Sequence, residues 1–159
     1  MPKNRFNLVI LGRPYTKKNS GVFAGAGRFL PSKQYREFEK SAIPQLHKQF
    51  HNEPIDFPVS VRVHYFMRDR KGWPDLVGLM QATADILEKA GVVKNDRLIT
   101  SWSGTEISGI DKENPRSEIN ILRVWWPPDT QEMRREDNPY NLDPYLVKKV
   151  ANERHKQNR

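Results

Sequence analysis

The chain contains no cysteine among its 159 residues. That excludes disulfides and thiolate metal sites, and it fits a reducing, cytoplasmic setting. Long hydrophobic runs are missing too. No stretch approaches the ~18 apolar residues of a membrane span, and no signal-peptide pattern opens the chain, so it reads as a soluble protein with no membrane partner. Apolar residues make up 36% and charged residues 29%, which implies a compact core with some segments outside it. The length is that of one domain.

Acidic residues are scarce in the first quarter. Residues 1–40 hold nine Lys or Arg and two Glu, a surplus of seven out of a formal net charge of +8. A localised basic segment is the electrostatic footprint of a polyanion, because cations that neutralise phosphates release condensed counterions. A merely soluble basic face has the same composition; the clustering favours a nucleic acid.

What is present divides into alternating strand and helix patterns. Phe6–Leu11 has strong β character and stops at Gly12-Arg13-Pro14. A turn-rich basic loop follows over 15–31, with Lys17, Lys18, Arg28 and three glycines. Loops of that length are often functional, and the order of its residues is not that of a P-loop. Ser32 caps a helix over 33–50, starting at Lys33. Its His47 and His51 have the i, i+4 spacing of a zinc pair, but no third ligand stands nearby in sequence. Val59, Val61, Val63, Tyr65 and Met67 alternate with polar or aromatic residues, the period of a half-buried strand. That strand runs into Arg68-Asp69-Arg70-Lys71-Gly72, a good place to hold a phosphate beside a helix start.

The stretch after it organises the chain. Asp75 follows Pro74 at an N-cap position, and Leu76, Leu79, Met80, Thr83, Ile86, Leu87 and Ala90 form an apolar stripe ended by Gly91. Gly78, Gln81 and Asp85 occupy the opposite side. Asp96 follows in the dipeptide Asn95-Asp96, close enough in chain length to return alongside the helix towards Asp75. Two carboxylates meeting at a helix start suit Mg²⁺. Asp85 cannot share an ion with Asp75 if the helix is continuous, since ten residues span about 15 Å. The same acids would serve equally as a cap and a turn.

Two strands are expected over 98–107 and 118–126, paired as a hairpin across the polar loop 108–116, with Trp102, Trp125 and Trp126 divided between the core and base stacking. The expected fold is therefore α/β of the α+β type: a small mixed sheet of about four strands, with two main helices on one face. The domain spans 1–126. Residues 127–159 carry four prolines and seven basic against six acidic residues, which reads as an extended C-terminal tail with one short helix over about 144–155.

The segment 75–96 resembles the RusA family of Holliday-junction resolvases, whose pattern runs Asp-x-Asp-Asn, then Lys, Asp and Leu on one helix, a Gly turn and Asp-Asp. Asp75, Asp85, Leu87, Gly91 and Asn95-Asp96 fall on that pattern, and Leu11-Gly12-Arg13-Pro14 with Lys17-Lys18-Asn19 looks like the family's opening strand and basic loop. The similarity covers roughly residues 7–125. The chain departs from the pattern at Val77 and Asn95, where the family has acids, at Gly78, where it has Asn, and at Gln81, where it has Lys. The resemblance implies a homodimeric endonuclease that resolves four-way DNA junctions. Asp75, Asp96 and Asp85 are then the candidate catalytic acids, and Asp75, Asp96 and Asn95 the candidate ligands of Mg²⁺ or Mn²⁺. Asp69, Asp85 or Glu106 would supply a third acid. Arg13, Lys17, Lys18, Lys33, Arg70 and Lys71 would hold DNA. A protein that binds junctions without cutting them, its catalytic set decayed at Val77 and Gln81, is the alternative.

Overall fold

The computed structural model describes residues 3–17, 22–23 and 29–124, together with Lys149, Asn152 and Glu153. In chain order the elements begin with β1 (Arg5–Leu11), the two short strands β2 (Val22–Phe23) and β3 (Phe29–Leu30), and helix α1 (Lys33–Gln49). Then come β4 (Val59–Met67), α2 (Leu76–Lys89), a 3₁₀ turn (Asp96–Leu98), β5 (Ile99–Ser101), β6 (Glu106–Ile110) and β7 (Arg116–Arg123). The chain divides after Val124 into two units. In the second, the three described residues are helical and exposed; the rest of the helix expected over 144–155, Trp125, Trp126 and Lys18 lie outside the described residues.

Five strands form one mixed sheet in the order β1-β7-β4, with β5 and β6 both beside β4. Period-two alternation sets the faces. Phe6, Leu8 and Ile10, the odd-numbered residues of β4, and Ile119 and Ile121 all point to one side, where they join Tyr35, Ala42 and Leu46 of α1 and Leu79, Ala82, Ile86 and Leu87 of α2 in a single core. Both helices thus cover the same sheet face. A polar link crosses that core. The Tyr65 hydroxyl lies 2.6 Å from Thr83 Oγ1, which in turn donates to the Leu79 carbonyl, so Tyr65 donates to Thr83. Burial keeps the Tyr65 phenol neutral well past its ordinary range.

The expected hairpin does not form. β7 lies between β1 and β4, antiparallel to both, whereas β6 pairs parallel to β4 through His64↔Glu106 to Met67↔Ile110. The single strand expected over 98–107 is also broken. Gly104, at φ +77°, turns the chain, and the Thr105 N–H bonds the Trp102 carbonyl at 3.0 Å. In the gap between β5 and β6, Thr105 Oγ1 accepts the Val63 N–H at 3.1 Å, so the interruption leaves that amide paired. Trp102 packs partly buried against the core.

α2 ends as its sequence dictates, with Gly91 at φ +70°. Ile55 and Lys94 then exchange bonds across the returning chain: Ile55 N–H to Val92 O and Lys94 N–H to Ile55 O, both 2.9 Å. α2 is therefore the crossover between the parallel strands β4 and β5, and it must carry the chain back along the whole length of β4. Lys89 bonds both Glu39 oxygens at 2.9 Å, tying α2 to α1.

The free edge of β1 is covered by two amides from α1. Gln49 pairs with the Val9 N–H and C=O at 2.9 and 2.7 Å, and Gln45 with those of Leu11 at 2.8 and 3.1 Å. A row of unpaired backbone groups is a template for association, and these side chains occupy it. Replacing both with leucine is expected to destabilise the fold by about 2–4 kcal/mol, from four lost bonds of about 0.5–1.5 kcal/mol each partly offset by apolar contact. It should also produce concentration-dependent self-association, read by urea unfolding and light scattering.

Candidate active site

Two groups of functional side chains stand at opposite ends of α2. At its start, Asp75 is exposed and caps the helix, its Oδ2 accepting the Gly78 N–H at 2.8 Å. A Cβ on residue 78 would stand 2.7 Å from Asp75 Oδ1 and 3.0 Å from Thr16 Cγ2. A larger residue at 78 would push aside the capping carboxylate and crowd the Thr16 methyl.

Towards the other end, Asp85 and Glu88 project from one face of α2, and Asp96 opens the 3₁₀ turn that follows it. One carboxylate oxygen from each lies within 4.8 Å of the other two, and all three residues are half-buried. Glu88 was not singled out from the sequence, although its i+3 spacing from Asp85 puts the two on neighbouring positions of a helix. The expected pairing of Asp75 with Asp96 is corrected here. Asp96 belongs with Asp85, and ten residues of continuous helix separate Asp85 from Asp75 by about 15 Å. The cause is the crossover: β5 joins β4 at Val59↔Ile99, at the beginning of that strand, whereas Asp75 follows its end.

The remaining candidates are placed individually. Asn95 is exposed and caps the 3₁₀ turn, its Oδ1 accepting the Arg97 N–H at 2.9 Å. Asp69 accepts the Lys71 N–H at 2.8 Å, and Glu106, on β6, takes the Ser108 hydroxyl at 3.2 Å. Neither belongs to the acid trio. His47 and His51 are exposed.

Among the cations, Lys17 reaches from the basic loop to form an ion pair with Asp85, and its ammonium lies 5.7 Å from the centre of the Tyr35 ring. Burial, the Glu39 carboxylate to which it donates at 2.9 Å, and the charge of Asp85 push the Tyr35 phenol up, so it remains a donor. Arg13 lies over the Tyr15 ring at 4.3 Å and donates to the carbonyls of Gly72 and Lys71 at 2.9 and 3.3 Å. Arg70 and Lys71 are exposed on the same loop. Lys33 is exposed and only 3.9 Å from Glu37, a loose pair. A cavity of about 480 Å³ opens beside this loop, lined among others by Arg13, Thr16, Arg68, Asp69 and Lys71.

The trio suits a divalent cation. Three carboxylates and the Lys17 ammonium leave two negative charges, which such an ion offsets. Ligand oxygens on one Mg²⁺ stand about 3.0 Å apart when adjacent and about 4.2 Å when opposed, so oxygens lying within 4.8 Å of one another would draw together around the ion.

Comparison with known proteins agrees with the residue pattern. The sequence profile of the family described as endodeoxyribonuclease RusA matches residues 11–122. A curated protein of Aquifex aeolicus, named crossover junction endodeoxyribonuclease RusA, is 31% identical over 111 residues, covering 70% of this chain and 83% of that relative.

The capping geometry separates stability from chemistry at Asp75. Asn and Asp cap helices about equally, and Ala does not. Asp75→Ala is expected to lower stability by about 1 kcal/mol in urea unfolding, and Asp75→Asn to leave it unchanged.

Proposed function

The chain belongs to the RusA family of endodeoxyribonucleases, and we propose that it cuts four-way DNA junctions in a reaction that requires Mg²⁺ or Mn²⁺. The observation that carries this reading is the meeting of Asp85, Glu88 and Asp96 beside a lysine. A divalent ion held there would stabilise developing charge on a phosphodiester and lower the pKa of an attacking water. Lys17 has a double task. It neutralises Asp85 while the trio is empty, and once a cation takes over that role its ammonium is free to hold a phosphate. Gln81 stands where the family carries a lysine, and Lys17 provides a positive charge on the adjoining turn of the helix. Arg13, Arg70, Lys71 and Lys33 orient the backbone without reading sequence. The protein would act in the cytoplasm, where its DNA lies, and no helix among the described residues is long and apolar enough to cross a membrane.

Symmetric nicks in a four-way junction call for two sites related by a two-fold axis. The outer surface of α2 offers an interface. Val77 is 66% exposed and Trp73, just ahead of the helix, 41% exposed. With the half-buried Met80 and Ala84 they follow the i, i+4, i+7, i+11 spacing of a helix-pairing seam. Two copies packed antiparallel about Met80 would set Val77 against Ala84 and bring Asp75 of each copy beside the acid trio of the other. The basic loop at the start of one α2 would then face the acids at the end of its mate. In this arrangement Asp75 completes the site in trans.

The test is nicking of a synthetic four-way junction across a metal series. Asp85→Asn and Asp96→Asn are expected to cut at least about 100-fold more slowly, since even outer-shell partners of a metal site cost about 10–100-fold, while binding the junction at wild-type affinity. A protein that binds the junction but fails to cut it whichever divalent ion is supplied would be the non-cutting alternative.

Val77→Lys is expected to shift the protein to monomer in sedimentation and to abolish nicking. Mixing Asp75→Asn with Asp96→Asn protein should restore roughly a quarter of wild-type nicking, because half the dimers are mixed and each mixed dimer has one intact composite site. No recovery on mixing would place Asp75 outside the site.

A further inference from the structure

The cavity at the start of α2 has a feature that the acid trio does not use. Thr16 is 4% exposed and lines the cavity, and its Oγ1 has no hydrogen-bond partner among the described residues. Its methyl is turned to Gly78, where even a Cβ would come within 3.0 Å. An unpaired buried hydroxyl has given up its hydrogen bonds to water and gained none in return; valine would fill the same space without that cost. The surrounding charges point to what the hydroxyl is for. Arg68 and Lys71 line the cavity, and their side chains have no partner among the described residues. Arg13 is committed to the carbonyls of Lys71 and Gly72, which holds the loop in place. Asp69, the acid on the lining, is turned to the Lys71 N–H. A donor without an acceptor, next to two unpaired cations, calls for a ligand that is anionic and made of acceptors. The α2 N-terminus adds little, because Asp75 already fills the cap.

We propose that this cavity holds one phosphate of the DNA backbone, with the Thr16 hydroxyl donating to a non-bridging oxygen and Arg68 and Lys71 neutralising its charge. The inference rests on the DNA-cutting reading and refines it. The acid trio of the same copy lies about 15 Å further along α2, so the phosphate held here is out of reach of that copy's own acids. In the antiparallel pair the cavity faces the trio of the second copy, to which its capture presents the strand, and Thr16 and Arg68 act as positioning residues.

The experiment measures binding of the full-length protein to a synthetic four-way junction by fluorescence anisotropy over a KCl series, with nicking followed in parallel. Arg68→Gln and Lys71→Gln are each expected to weaken binding and to reduce the slope of log Kd against log salt by about 1. Thr16→Val should weaken binding roughly 10-fold, the scale of a hydrogen bond to a charged group, leave the slope unchanged and unfold no earlier than wild type. Thr16→Ser should bind like wild type. Wild-type affinity and slope in Arg68→Gln, Lys71→Gln and Thr16→Val would overturn the proposal, even if nicking is robust. If Thr16→Val is too unstable to measure, the two salt slopes decide alone. Should the wild type cut nothing with any divalent ion while the binding effects appear as expected, the cleavage reading falls and the phosphate site stands.

Discussion

The rigidity of α2 governs this molecule. A continuous helix has a fixed rise, so the 14 residues from Leu76 to Lys89 separate what stands at one end from what stands at the other, and no side-chain rearrangement can bring the two together. That separation has a structural origin. β4 and β5 are parallel, and a parallel pair requires the connection to travel back the full length of the first strand. The acid cap is left where β4 ends; the acid trio is assembled where β5 begins.

The packing around α2 holds both ends to a defined geometry. Leu79, Ala82, Ile86 and Leu87 bury its inner face against the sheet, and the Tyr65–Thr83–Leu79 chain of hydrogen bonds fixes its rotation. Lys89 and Glu39 secure its C-terminal turn to α1. The basic loop returns to it twice, through the Lys17–Asp85 ion pair and through Thr16 against Gly78. Charge is therefore graded along one helix, with cations gathered at its start and carboxylates near its end. For a protein that handles DNA, such a gradient offers phosphate-holding and metal-holding positions on one rigid ruler. A two-fold copy of the ruler, laid antiparallel, would superpose the two kinds of position.

Much of the architecture could be read along the chain because it rests on local periodicity and punctuation. The 3.6-residue stripe with its Asp75 cap and Gly91 stop, the Ser32 cap of α1 and the alternation through Val59–Met67 are signals carried by neighbouring residues, and each element lies where they put it. Pairing was another matter. The patterns of β6 and β7 are compatible with a hairpin, and nothing local says that β7 inserts between β1 and β4. Strand order is decided by which edges remain free once the helices have covered one face. The turn at Gly104 is a single-residue event that an alternating pattern overruns.

The site divides in the same way. Sequence by itself determined the inventory: a cysteine-free, basic-ended chain with acids at 75, 85 and 96, lysines in a glycine-rich loop, and a pattern shared with RusA endodeoxyribonucleases. Those are properties of residue type and short-range spacing. Only the tertiary structure decided which acids are neighbours. It joined Asp96 to Asp85 and Glu88 instead of Asp75, drew Lys17 across to Asp85, and left the Thr16 hydroxyl unpaired beside Arg68 and Lys71. The physical reason is that proximity between distant residues is set by the path of the crossover and the order of the strands, both of which minimise the exposure of the whole core and not the energy of any one segment.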